Sequence, residues 1–145
     1  MKTWILVANS ADAKILTTDS LRTGEIKLMR KLSHPESRKK ISDLMSDKPG
    51  HYKTDSGVHG AYSNHDPKVV EADHFATQLV RELKVGWDQH KFQNLLIVAP
   101  AHFYGLLNKQ LHVIANLKVT HLSKDYTRYS LNKLSSSLKE FAYPA

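Results

Sequence analysis

At 145 residues the chain has the length of one domain with a proper core and too little for two ordinary ones. Its 41% hydrophobic and 24% charged residues exclude general disorder, and the absence of cysteine excludes disulfides, thiolate metal sites and a cysteine nucleophile. A net charge of +7 points toward polyanions such as RNA, DNA or an acidic membrane surface.

Thr3 to Ala8 is a continuous apolar run rich in β-formers, as expected of a strand buried on both faces. The stretch from Trp4 to Ala8 is shorter than the roughly 7–15 residues of an export signal, so a first core strand is the better reading. Asn9, Ser10 and Asp12 supply a tight turn, and Ala13 to Thr18 returns as a second strand. After Gly24 a third strand is expected, with Ile26, Leu28, Arg30 and Leu32 on one face by alternation. Asp66-Pro67 starts a helix whose apolar stripe, from Val69 to Leu83, ends near Gly86. Leu95 to Ala99 is a short buried strand. Pro100 begins a second helix, with Phe103, Leu106, Leu107, Leu111, Ile114 and Ala115 on one face. Lys118 to Leu122 is a fifth strand, and Leu131, Leu134, Leu138 and Phe141 mark a last helix. The order β-β-β-α-β-α-β-α predicts an α/β fold, ribonuclease H-like, with helices packed on a mixed five-stranded sheet. No stretch approaches the length of a transmembrane helix, so a soluble, cytoplasmic protein is expected.

Between the third strand and the first long helix lies the polar segment 33–66. Connections in domains of this size usually run about 4–6 residues, so a segment this long is expected to be a mobile loop, functional, or both. With its flanks it holds Arg30, Lys31, Arg38, Lys39, Lys40, Lys48, Lys53 and Lys68, with Tyr52 and Tyr62 available to stack on unpaired bases. Glu36, Asp43, Asp47, Asp55 and Asp66 oppose them, and a solvated loop of mixed charge accounts for the same composition. Pro35 to Met45 also has the pattern of a short amphipathic helix that would dock a partner.

The blocks WILVANSADAKIL, HPESRKKISDLMSDKPGHY, ADHFATQLVREL, LLIVAPAHFYGLLNKQL and SKDYT together resemble the bacterial host attachment protein family over nearly the whole chain. Members of that family are similar in architecture to the middle domain of archaeal and eukaryotic peptide release factors and of Pelota. The resemblance implies that segment 33–66 occupies the place of the release factors' Gly-Gly-Gln tip, here Gly57-Val58-His59-Gly60. There is no glutamine between Ser33 and Asp66, which argues against peptide release by the same chemistry.

Two-metal nuclease chemistry needs a carboxylate on the first strand, and Thr3 to Ala8 has none; Asp12, Asp19 and Asp125 read as turn residues. Of the nine histidines, His34, His51, His59 and His65 fall in the segment without the spacing of a zinc site, and read as solvated. His102, His112 and His121 read as single satisfied side chains. No G-x-S-x-G elbow, phosphate loop or dinucleotide motif occurs, so neither a metal nor a cofactor is called for. If the first strand lies beside Leu95 to Ala99, then Asn9 and Ser10, the turn carrying His102, and Lys124-Asp125 meet at one sheet edge as a possible cleft. On the simpler reading Asn9 is a turn residue, Pro100 a helix starter and Asp125 a cap for the last helix.

The sequence thus predicts a non-enzymatic binding protein acting on ribosome or structured RNA through Arg38, Lys39, Lys40, Lys48, His51, Tyr52, Lys53, Gly57, His59 and Gly60. One alternative is attachment to a protein or surface polymer. Another is a release-factor-like or RNA hydrolase, for which turnover would depend on Asn9, His59 or Asp125.

Overall fold

A computed structural model describes residues 1–35 and 67–142. Strands β1 (Thr3–Ala8), β2 (Asp12–Thr18) and β3 (Lys27–Ser33) precede helix α1 (Pro67–Asp88). Then follow β4 (Asn94–Val98), α2 (Ala101–Gln110), a 3₁₀ turn (Leu111–Val113), β5 (Val119–Leu122) and α3 (Leu131–Ala142). The sheet order is β3-β2-β1-β4-β5, with β1–β2 and β2–β3 antiparallel and β1–β4 and β4–β5 parallel. This is the mixed five-stranded α/β arrangement predicted from the element order, and it agrees with a ribonuclease H-like fold. Among the described residues no helix is long and apolar enough to cross a membrane.

β1 is central because its unbroken apolar run suits a strand covered on both faces. Trp4, Leu6 and Ala8 face the core under α1 and α2, with Phe75, Leu79, Leu83, Phe103 and Leu107. Ile5 and Val7 face the opposite core with Leu16, Leu96 and Val98 under Leu134 and Leu138 of α3. Ser130 caps α3, its Oγ accepting from Lys133 N–H at 3.2 Å, so Asp125 is not that helix's cap.

Three local features depart from the periodicities. The β2–β3 register shifts between Ile15 and Leu16, so Ile15 opposes Arg30 while Leu16 opposes Leu28, leaving Met29 as the extra residue of a bulge. Ile26 therefore joins the α3-side core and Leu32 the α1-side core, rather than sharing a face. Helix α1 runs past Gly86 to Asp88 because the left-handed residue that stops it is His90, at φ 58°. His90 N–H bonds Trp87 O and Lys91 N–H bonds Gly86 O, the two bonds of a Schellman end. Finally, α2 closes at Gln110 and tightens into the 3₁₀ turn, which leaves Ala115 exposed instead of on the apolar face.

Candidate functional site

The β1–β2 turn is built by Asn9. Its Oδ1 accepts from Ala11 N–H at 2.9 Å and Asp12 N–H at 2.8 Å, the local geometry that asparagine favours. Because β1 lies parallel to β4 and β4 to β5, the chain leaving β5 passes over this turn, and Asn9 meets Asp125 across it. Asn9 Nδ2 donates to Asp125 Oδ2 at 3.0 Å and to Thr127 Oγ1 at 3.1 Å. Asp125 Oδ1 accepts from Thr127 N–H at 3.0 Å and from Thr127 Oγ1–H at 2.6 Å. Burial pushes the Asp125 carboxyl up, but the hydrogen bonds from Thr127 and Asn9 outweigh it and hold the pKa below the ordinary value. The ionised carboxylate thereby fixes the turn that follows, closed by Tyr129 N–H to Tyr126 O at 3.0 Å, with Thr127 and Arg128 at its tip.

Of the predicted cleft residues the structure brings Asn9 and Asp125 together. Ser10, His102 and Lys124 make no side-chain hydrogen bond or ion pair with them, and His102 and Lys124 are exposed. The Asn9–Asp125–Thr127 group is thus a structural tie whose donors and acceptors are already engaged. Arg38 through Gly60, the candidate binding residues of segment 33–66, lie outside the described residues.

What the tie positions is a groove that sequence reading missed. Asp12, Lys14, Lys31, Ser33, Thr127 and Arg128 line an open depression of about 560 Å³, within the size range of ligand sites. Lys14 and Lys31 are direct register partners on β2 and β3, and like charges directly opposed on one face of a sheet repel. Lys14 Nζ donates to Tyr129 O at 2.9 Å, a contact that aims the ammonium without neutralising it. Lys31 and Arg128 are exposed and make no ion pair among the described residues. Asp12 is the one carboxylate in the lining. The usable signal in the sequence was Lys14 itself, a lone cation between the buried Ala13 and Ile15.

Next to the groove, His34 follows the last residue of β3. It is half-buried, stacked on Phe75 with centroids 5.5 Å apart, and its Nε2–H donates to Glu71 Oε1 at 2.8 Å. This corrects the reading of His34 as a solvated loop side chain. Burial raises the Glu71 carboxyl, yet His34 and His74 together hold it below its usual value. His121 Nε2–H donates to Ala99 O at 2.9 Å while its ring stacks on Tyr104, and His112 bonds Lys109 O, so both are satisfied as expected. Among the described residues no three His, Asp or Glu side chains group so as to hold a metal.

No curated protein matches the chain in sequence. Among solved structures, the type II variant of the Aquifex aeolicus Ppx/GppA phosphatase is similar over 85% of this chain, at 12% identity and a TM-score of 0.40. The chain spans 36% of that protein. Residues 4–138, nearly the full length, match the family described as "Protein required for attachment to host cells", and the chain belongs to that family.

Proposed function

We propose that this chain is a non-enzymatic binding protein that holds a polyanion, structured RNA or the ribosome first, on the Lys14–Lys31–Arg128 groove and the neighbouring segment 33–66. The observation that carries the reading is the opposed Lys14–Lys31 pair. A sheet gains nothing from two like-charged side chains opposed in register, and a bound phosphate offsets that repulsion while releasing counterions. Arg128 adds a planar donor fork suited to phosphate oxygens. Arg38, Lys39, Lys40, Lys48, His51, Tyr52, Lys53, Gly57, His59 and Gly60, which follow Ser33 in the sequence, add basic and aromatic residues to this reading. The expected likeness of the family to release-factor middle domains, which rests on the sequence resemblance alone, is what favours ribosomal RNA among polyanions in this reading.

The paired variant Lys31→Glu, Arg128→Glu tests this. Binding to ribosomes or structured RNA, measured with protein freed of nucleic acid, is expected to weaken at least about tenfold near 0.1 M salt, and the log–log salt slope to fall by about two. Salt-independent binding, or equal affinity in wild type and variant, would overturn the groove as the site.

A second reading, attachment to a protein or polymer at a cell surface, is favoured by the description of the family. Untagged protein found on intact cells, with a cytoplasmic marker absent, would support it over the RNA reading.

A further inference from the structure

We infer that the α3 side of the Tyr126–Tyr129 turn is a base-reading slot for an unpaired guanine of an RNA whose phosphates lie in the groove; this rests on the polyanion reading above. The turn has two functional sides. Thr127 and Arg128 face the groove, while Tyr126 faces a separate open slot of about 210 Å³ lined with Leu122, Ser137, Glu140 and Phe141. Tyr126 is held rigid by stacking on Tyr129, with centroids 4.4 Å apart and planes 15° from parallel, and Lys133 Nζ sits 4.3 Å from the Tyr129 ring.

Phe141 supplies the second aromatic wall. It continues the Leu134–Leu138 stripe of α3 beyond the buried core and is left 38% exposed, an apolar ring that the fold does not cover. Sequence-specific readers of RNA stack splayed bases on such rings and check the base edge with polar groups. The polar group here is Glu140, whose carboxylate only accepts hydrogen bonds. Among the four bases guanine alone presents two adjacent N–H donors, N1–H and the N2 amino group, on one edge. Ser137 adds a hydroxyl that donates or accepts.

Charge fixes the orientation. Glu140 repels a phosphate from the slot, whereas Lys14, Lys31 and Arg128 draw one into the groove. Tyr126 and Arg128 are two residues apart, a chain span of at most about 7 Å, so one nucleotide can stack on the first while its phosphate meets the second. An unpaired guanine in an RNA loop meets both demands, and a base-paired one does not.

The test uses the full-length protein and two single-stranded RNA oligomers of equal length, one rich in guanine and one entirely uridine, read by fluorescence anisotropy. Wild type is expected to prefer the guanine oligomer by about tenfold, the scale of one stacked base. Phe141→Ala should erase that preference and leave the uridine oligomer unaffected, with an unchanged thermal melt. Glu140→Gln separates base reading from bulk charge: it should weaken guanine binding, whereas loss of a negative charge alone would strengthen both oligomers. Equal, salt-sensitive binding of both oligomers by all three proteins would overturn the slot and leave the groove standing. Absence of salt-sensitive binding to either oligomer would overturn the slot, and absence of binding to structured RNA as well would remove the groove. A fall in self-association with Phe141→Ala, without change in RNA binding, would assign Phe141 to a contact between copies and overturn the slot.

Discussion

Gly86→Ala is expected to destabilise the protein by about 2 kcal/mol, although alanine is the best helix former and Gly86 lies inside a helix. A Cβ at this position would stand 2.3 Å from Cη2 and 2.6 Å from Cζ3 of Trp4, closer than nonbonded carbon atoms approach. The indole is held in place by aromatic stacking. It is buried on the central strand, stacks on Phe92 with centroids 4.6 Å apart, and Phe92 is itself flanked by Trp87 at 5.5 Å. Inserting a methyl group into so tight a contact costs up to about 3 kcal/mol, against about 1 kcal/mol gained in helix propensity. Gly105, in α2, is the control, because a Cβ there meets nothing within 4 Å. Gly105→Ala should stabilise by up to about 1 kcal/mol, so the same substitution gives opposite signs at the two sites. Urea midpoints at unchanged m-value measure both. In a Trp4→Phe background the cost of Gly86→Ala should shrink, since the smaller ring gives up the contested space.

Asp125→Ala should cost about 2–3 kcal/mol, because it removes a charged acceptor from Thr127 N–H, the Thr127 hydroxyl and Asn9 Nδ2, and Thr127 is buried. The turn bearing Arg128 would lose its anchor, so on the proposed polyanion reading affinity for RNA should fall as well. Acid gives an independent check. The folded pKa of Asp125 lies below its ordinary 3.8, so its contribution is complete above that value and is lost as pH falls through the lower folded value. Glu71, lowered from 4.5 by its histidine partners, loses its contribution over a similar acidic window. Wild type should therefore hold its stability from neutral pH down to about pH 5 and lose it below. Asp125→Asn should be less stable at neutral pH and show a shallower acid slope. A slope identical to wild type would mean that the carboxylate bonds contribute nothing to folding.

The fold was legible where each element carries its own signal. Thr3 to Ala8 reads as a central strand from composition alone, and the helices announce themselves by spacing, so element order and class followed. Interactions set by register were not legible. Nothing local marks Met29 as a bulge, because the shift arises from how β3 meets β2, and it sends Ile26 and Leu32 to opposite faces. Gly86 resembles a helix stop, yet it is small because Trp4, 82 positions earlier in the chain, presses on it. The candidate site divides in the same way. Asn9 and Asp125 were placed together from the parallel β1–β4 pairing, whereas Lys14, Lys31 and Arg128 converge only through strand register and a turn held by Asp125.

The bulge at Met29 has a bearing on how the molecule behaves in a crowded solution. β3 is an outermost strand, and a regular outer strand offers its unpaired peptide groups as a template on which another chain can zip. Here the extra residue breaks the spacing of that template midway, while Lys27 and Lys31 place cations along the same rim. Two molecules approaching edge to edge would meet mismatched peptide groups and like charges. The irregularity that spoils a simple alternation thus guards this side of the sheet against fibre-like growth.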